Sequence, residues 1–233
     1  MSLVKFESVS LGYSDAVVEE LSFTVESGDY LTVVGENGSG KSTLIKTLLG
    51  LVPAKSGGVI LGEGLSHREI GYLPQQSATQ RDFPASVFEV VLSGCLSSAR
   101  AIPFYSGEQK ALALKNLERL GISHLVKKCF RELSGGQQRR VLLARALCAS
   151  SRLILLDEPA TALDPKVTEE MYSIISELNA SGMTVIAVSH DIEAAIKYSS
   201  HILHLSHRPK FFGSVRDYLK SDAYLSKRGG GAG

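Results

Sequence analysis

An apolar run, Leu31-Thr32-Val33-Val34, ends in Gly35-Glu36-Asn37-Gly38-Ser39-Gly40-Lys41-Ser42, and Ser42–Leu49 follows with helical spacing. Strand, glycine-rich loop and helix in that order leave few folds open. Glycines let successive backbone N–H groups turn inward around an anion. The positive end of the following helix points at the same place. The spacing Gly35-x-x-x-x-Gly40-Lys41-Ser42 is the Walker A phosphate-loop pattern. Asn37, Gly38, Ser39 and Gly40 form the cradle, and Lys41 brings a mobile ammonium to the β- and γ-phosphates of a nucleotide. Ser42 offers a hydroxyl to Mg²⁺, and Thr43 a further phosphate hydrogen bond. A chance glycine-rich turn is the competing reading; the strand before the loop and the helix after it weigh against it.

A second edge of chemistry lies at Leu153-Ile154-Leu155-Leu156, which runs into Asp157-Glu158-Pro159. A continuous apolar strand belongs in the interior of a parallel sheet, and such sheets bind ligands at their carboxyl edge. Asp157 is suited to hold Mg²⁺ through a water. Glu158 is placed to orient or deprotonate an attacking water. Alone, the pair would read more readily as a solvated acidic turn; the phosphate loop in the same chain changes that balance.

Around these segments the chain alternates. Val4–Ser10 and Leu21–Val25 read as strands, as do Val59–Leu61 and Ile70–Leu73. From Ser86 to Ala149 the pattern is mostly helical, with helices predicted over Val87–Ser93, Glu108–Leu120 and Gln137–Ala149. Strand–helix alternation then resumes: Val167–Asn179 and Ile192–Tyr198 as helices, Thr184–Val188 and Ile202–Leu205 as strands. This implies right-handed βαβ units. No internal repeat is visible. The glycine-rich 229–233 is expected to be disordered.

Composition excludes several classes. The 233 residues are 44% hydrophobic and 21% charged, with a formal net charge of +1, an ordinary globular balance with no basic field for nucleic acid. The three cysteines, Cys95, Cys129 and Cys148, have neither disulfide nor zinc spacing and read as reduced thiols. No apolar window reaches the roughly 18 residues that span a bilayer, and the N-terminus lacks a signal-peptide pattern. A soluble chain is expected, with any membrane role supplied by a partner.

Leu133-Ser134-Gly135-Gly136-Gln137 opens the third predicted helix and makes a second anion-binding helix start. With it, the sequence resembles the nucleotide-binding domain of ATP-binding cassette (ABC) transporters, whose signature is LSGGQ. The resemblance runs from about Leu3 to Ser206, and further motifs fall in the family's order. Tyr13 stands where the adenine-stacking aromatic sits. Gln75 corresponds to the Q-loop glutamine that contacts Mg²⁺ and the attacking water. Asp164, in Ala162-Leu163-Asp164, matches the D-loop, and His190 the switch histidine. Arg139, where glutamine is more usual, and Ala160, replacing a common threonine or serine, are departures to which no chemical role is assigned.

The resemblance implies an α/β fold: a P-loop NTPase core with a mostly parallel sheet, an antiparallel β-subdomain and an inserted helical subdomain. Core and β-subdomain would take 1–85 and 151–228, the helical subdomain 86–150. It implies Mg²⁺-dependent ATP hydrolysis in a head-to-tail homodimer, with Ser134, Gly135, Gly136 and Gln137 of one copy capping ATP on the other. The stretch from Gln75-Gln76 to Gly94 resembles ATPases of zinc and manganese importers. The implied partners are an integral membrane permease and, indirectly, a substrate-binding protein, at the cytoplasmic face of the membrane. An importer of another substrate, such as an iron chelate, and a non-transport ABC ATPase are the alternatives; the absence of a coiled-coil insertion or a second cassette argues against the latter. Phe83, Pro84, Val87 and Phe88 read equally as helical core or as a groove for a permease helix. His201, His204 and His207 would not converge on a metal at strand spacing. His67 and His124 read as surface residues.

Overall fold

The computed structural model describes residues 2–12, 16–75, 84–98 and 104–229. Tyr13, Gln76, Asp82, Phe83 and the tail 230–233 lie outside them. The chain forms two compact units, 1–67 with 184–233, and 68–183.

In the first unit, strands β1 (Ser2–Gly12), β2 (Ala16–Glu26) and β4 (Ser56–Leu61) form an antiparallel sheet in the order β2-β1-β4. Alternation decides its faces: Val4 and Phe6 are buried while Lys5 and Glu7 are exposed. Phe6 pairs with Phe23 across β1 and β2, their rings stacked at 4.5 Å. The parallel part is built on β3 (Tyr30–Val34), buried along its whole length between β7 (Thr184–Val188) and β8 (His201–His204). That double-sided burial is why β3 is apolar but for Thr32, whose hydroxyl pairs with Ser199 Oγ, rather than alternating. Helix α1 (Lys41–Leu48) follows the loop, and α6 (Ile192–Tyr198) follows β7.

The sequence pattern misses the end of this unit. β9 (Phe211–Ser214) pairs antiparallel with β8, and α7 (Val215–Tyr218) and α8 (Asp222–Gly229) follow. Tyr218 is fully buried and packs with Val34, Ile202 and Ala223. The last core strand is His201–His204, one residue earlier than expected. A turn then closes with Lys210 N–H donating to His204 O, so strand spacing does not extend to His207. The three histidines have separate partners: His201 lies 3.6 Å from Asp29, His204 bonds Tyr218 Oη at 3.0 Å, and His207 meets Val17 O at 3.1 Å.

In the second unit, β5 (Ile70–Leu73) and β6 (Leu153–Asp157) pair in parallel. Helices α2 (Val87–Leu92), α3 (Gly107–Arg119) and α4 (Gly135–Ala149) each begin with a capping box: Ser86 with Glu89, Ser106 with Gln109, Ser134 with Gln137. The pattern Ser-x-x-Glu/Gln satisfies two otherwise orphaned N–H groups at each start. Helix α4 is the centre of the unit. Val141–Ala144 and Ala146–Cys148 are all buried, a wider apolar surface than one stripe, because β5, α2 and α3 all pack on it. Val87 is core, Phe88 half-buried and Pro84 exposed. Helix α5 is Pro165–Ala180. Burial pushes the Cys148 thiol up to about 12, so it stays protonated at neutral pH. No helix among the described residues is long and apolar enough to cross a membrane.

Candidate nucleotide site

The phosphate loop leaves β3 and enters α1 within the first unit. Gly35 must be glycine because a Cβ there would lie 2.4 Å from Leu205 O and 2.7 Å from Ser39 Oγ. Gly40 caps α1 with φ +95, and its Cβ would lie 2.5 Å from Val18 Cγ2. The first turn of α1 holds no acidic residue, which leaves its positive end unopposed by a carboxylate. Asn37, Gly38 and Ser42 are exposed, Ser39 and Thr43 half-buried. Lys41 is 6% exposed, and its ammonium donates to Gly35 O at 2.8 Å and Glu36 O at 2.7 Å. The charge is thereby held at the loop rather than out in solvent. A pocket of about 200 Å³ is lined by Glu36–Ser39 together with His207 and Lys210.

His190 belongs to the same unit. Val33 and Val188 are register partners on adjacent parallel strands, so the phosphate loop and the exposed His190 leave the same sheet edge. Ser189 N–H donates to Val33 O at 3.1 Å, and Ser189 Oγ accepts from Asp191 N–H at 3.0 Å. Asp191 in turn caps α6 by accepting from Ala194 N–H at 2.8 Å. These bonds fix the backbone on both sides of His190.

The carboxylates stand at the corresponding edge of the second unit. Asp157 and Glu158 are only 8% and 9% exposed. Leu73 and Leu156 are register partners, so Gln75 and Glu158 each lie two residues beyond that pair. The Gln75 amide donates to Glu158 Oε2 at 2.9 Å, and Thr161 Oγ1 donates to the same oxygen at 3.1 Å. Tyr72 Oη makes a long 3.5 Å contact to Asp157 Oδ2. Burial, then the Asp157 charge, pushes the Tyr72 phenol up to about 12, so it remains a donor at neutral pH. Glu158 has φ +50, a backbone region that costs a non-glycine residue about 1–3 kcal/mol. Arg139, 2% exposed, donates to Glu158 O at 2.8 Å and to Pro74 O at 2.9 Å.

The signature residues open α4. Ser134 Oγ accepts from Gln137 N–H at 3.3 Å, and Gln137 Oε1 accepts from Ser134 N–H at 3.1 Å, while Ser134 and Gly135 stay exposed. Asp164, exposed, accepts from Val167 N–H at 3.1 Å and caps α5. A Cβ on Gly135 would touch Leu163 at 3.8 Å, which puts the signature next to the Asp164 turn. Two contributors escaped sequence reading. Thr161 has no motif position of its own, and Arg139 acts through main-chain carbonyls. We expect Thr161→Val to lower kcat for ATP roughly tenfold with little change in KM, since a donor orienting Glu158 is lost. Steady-state kinetics checks this; an unchanged kcat would remove Thr161 from the site.

A glycine-walled phosphate loop, a strand-edge acid pair and a serine-capped glycine signature define an ATP-binding P-loop ATPase. The ABC transporter family matches residues 18–161, and the chain belongs to that family. It is 35% identical to the manganese transport system ATP-binding protein MntB of Bacillus subtilis (strain 168), over 97% of this chain and 92% of that protein. It is 34% identical to the zinc transport system ATP-binding protein TroB of Treponema pallidum (strain Nichols), over 98% and 87%. Among solved structures it resembles a dimeric, post-hydrolysis ATP-binding cassette bound to ADP and Pi, with 27% identity and a TM-score of 0.75 over 91% of this chain and 99% of that one.

Proposed function

We propose that this chain is the Mg²⁺-dependent ATPase subunit of an importer of divalent metal, manganese or zinc, acting on a separate membrane permease. The observation that carries the metal class is the near full-length similarity to ATPases named for manganese and zinc transport. The hydrolytic reading rests on Glu158, whose buried carboxylate is aimed by Gln75 and Thr161. In this reading the loop Gly35–Thr43 binds the phosphates, Tyr13 stacks on adenine, and Glu158 takes the proton of the attacking water. His190 supports the γ-phosphate. Ser42, Gln75 and Asp157 offer only oxygen donors, the hard set that Mg²⁺ prefers, and they would hold it. When bound, the ion neutralises charge building on the phosphates.

The site is completed by a second copy. Ser134 and Gly135, exposed at the start of a 15-residue helix, suit the phosphates of a nucleotide held by the partner. A dimeric cassette among the similar structures supports this. The subunit would sit at the cytoplasmic face of the membrane, bound through its permease and indirectly serving a substrate-binding protein. The core, β-subdomain and helical subdomain, with the helical part over 86–150, are read on the same basis.

Cells lacking the chain are expected to lose high-affinity uptake of radioactive manganese or zinc, restored by the wild-type gene and not by Lys41→Met. Normal uptake of both metals in those cells, with loss of transport of an iron chelate, would reassign the substrate.

A further inference from the structure

We propose that Arg139 is a positioning residue for hydrolysis, holding the main chain on both sides of the Gln75–Glu158 pair. The inference rests on the reading of Glu158 as the group that activates water.

Arg139 lies in α4, five residues beyond the signature serine that caps the helix. Its Nη1 donates to Pro74 O and its Nη2 to Glu158 O, at 2.9 and 2.8 Å. Pro74 immediately precedes Gln75, whose amide donates to Glu158 Oε2 at 2.9 Å. A closed circuit results: one guanidinium grips the backbone beside Gln75 and the backbone of Glu158, and the two side chains grip each other. The planar fork of arginine can serve two carbonyls at fixed separation, which a single ammonium cannot.

The grip matters because of what it holds. Glu158 has φ +50 directly before Pro159, where extended backbone is ordinarily favoured. Such a conformation persists only when its surroundings over-determine it. The Glu158 carbonyl is a handle on that backbone: it accepts from Thr161 N–H at 3.3 Å and from Arg139, 2% exposed, at 2.8 Å. Slackening the grip lets the carboxylate drift from its aim. Arg139 therefore acts on turnover through Glu158, and ATP affinity is independent of it.

The test uses the full-length chain, with rates expressed per mole of bound fluorescent ATP analogue so that only folded sites count. Arg139→Met, which keeps the stem and removes both donors, is expected to lower kcat roughly tenfold to hundredfold while KM and the analogue's Kd change less than about twofold. Arg139→Lys keeps the charge and is expected to recover little of the rate; should Arg139→Met not fold, Arg139→Lys alone carries the comparison. Adding Arg139→Met to Glu158→Gln is expected to cost no further residual turnover, as for two groups acting as one unit. A mere structural brace would instead lower Tm at unchanged kcat per site. Normal kcat in a folded Arg139 variant, or losses that multiply with those of Glu158→Gln, overturns the proposal. Wild-type turnover in Glu158→Gln alone would show a different failure, that of the reading of Glu158 itself.

Discussion

Glu158→Gln is expected to bind ATP as the wild type does and to hydrolyse it roughly 10²–10⁴ times more slowly, the range a positioned general base contributes. The substitution changes almost nothing but basicity. Glutamine has the same length, and its carbonyl oxygen can still accept from Gln75 and Thr161, which now share Oε2 of the carboxylate. The phosphate loop Gly35–Thr43 keeps all of its own residues. Binding without turnover is therefore the specific signature, and ATP is expected to accumulate on a stable dimer. Calorimetry for affinity, phosphate release for rate and size-exclusion chromatography with ATP read the three quantities separately. Turnover at the wild-type rate would remove Glu158 from its assigned role.

Lys41→Met should do the opposite, and weaken ATP binding roughly 10- to 100-fold, in line with the loss of charge-assisted hydrogen bonds to the phosphates. The Lys41 ammonium donates to Gly35 O and Glu36 O, which holds it over the loop. Methionine keeps most of the buried stem but leaves both carbonyls without that donor, so a small fall in Tm should accompany the loss of affinity. An ATP affinity equal to wild type would sink the assignment of the loop. Taken together, the two variants separate binding from chemistry: one loses the ligand, the other keeps it and stalls.

What could be read from the residues was whatever local chemistry dictates. Gly35 and Gly40 announce a loop because nothing larger fits, and Ser134 with Gln137 announces a helix start because a capping box has fixed spacing. The strands β3, β6 and β7 are legible because burial on both faces makes them predominantly apolar. β9 was not: four residues, Phe211–Ser214, pair with β8 and carry no alternation long enough to register. The turn after His204 was not legible because a backbone bond closes it, which leaves no mark on side-chain type. Asp164 was read only as a D-loop residue, yet it also caps α5. Arg139 was set aside as a departure without a role because its named acceptors are main-chain carbonyls, and any residue could supply those. Tyr13 lies outside the described residues.

Helix α4 joins two tasks on one stiff rod. Its first turn presents Ser134 and Gly135, and five residues on, about 7.5 Å along the axis at 1.5 Å per residue, Arg139 holds Glu158. In a pair of copies, the signature end of each rod would touch the nucleotide bound by the other. The two hydrolytic centres would then sense one another's occupancy mechanically, so turnover would rise with ATP concentration more steeply than a simple hyperbola. Cooperativity between the sites would thus be built into a single helix rather than added by a separate regulatory element.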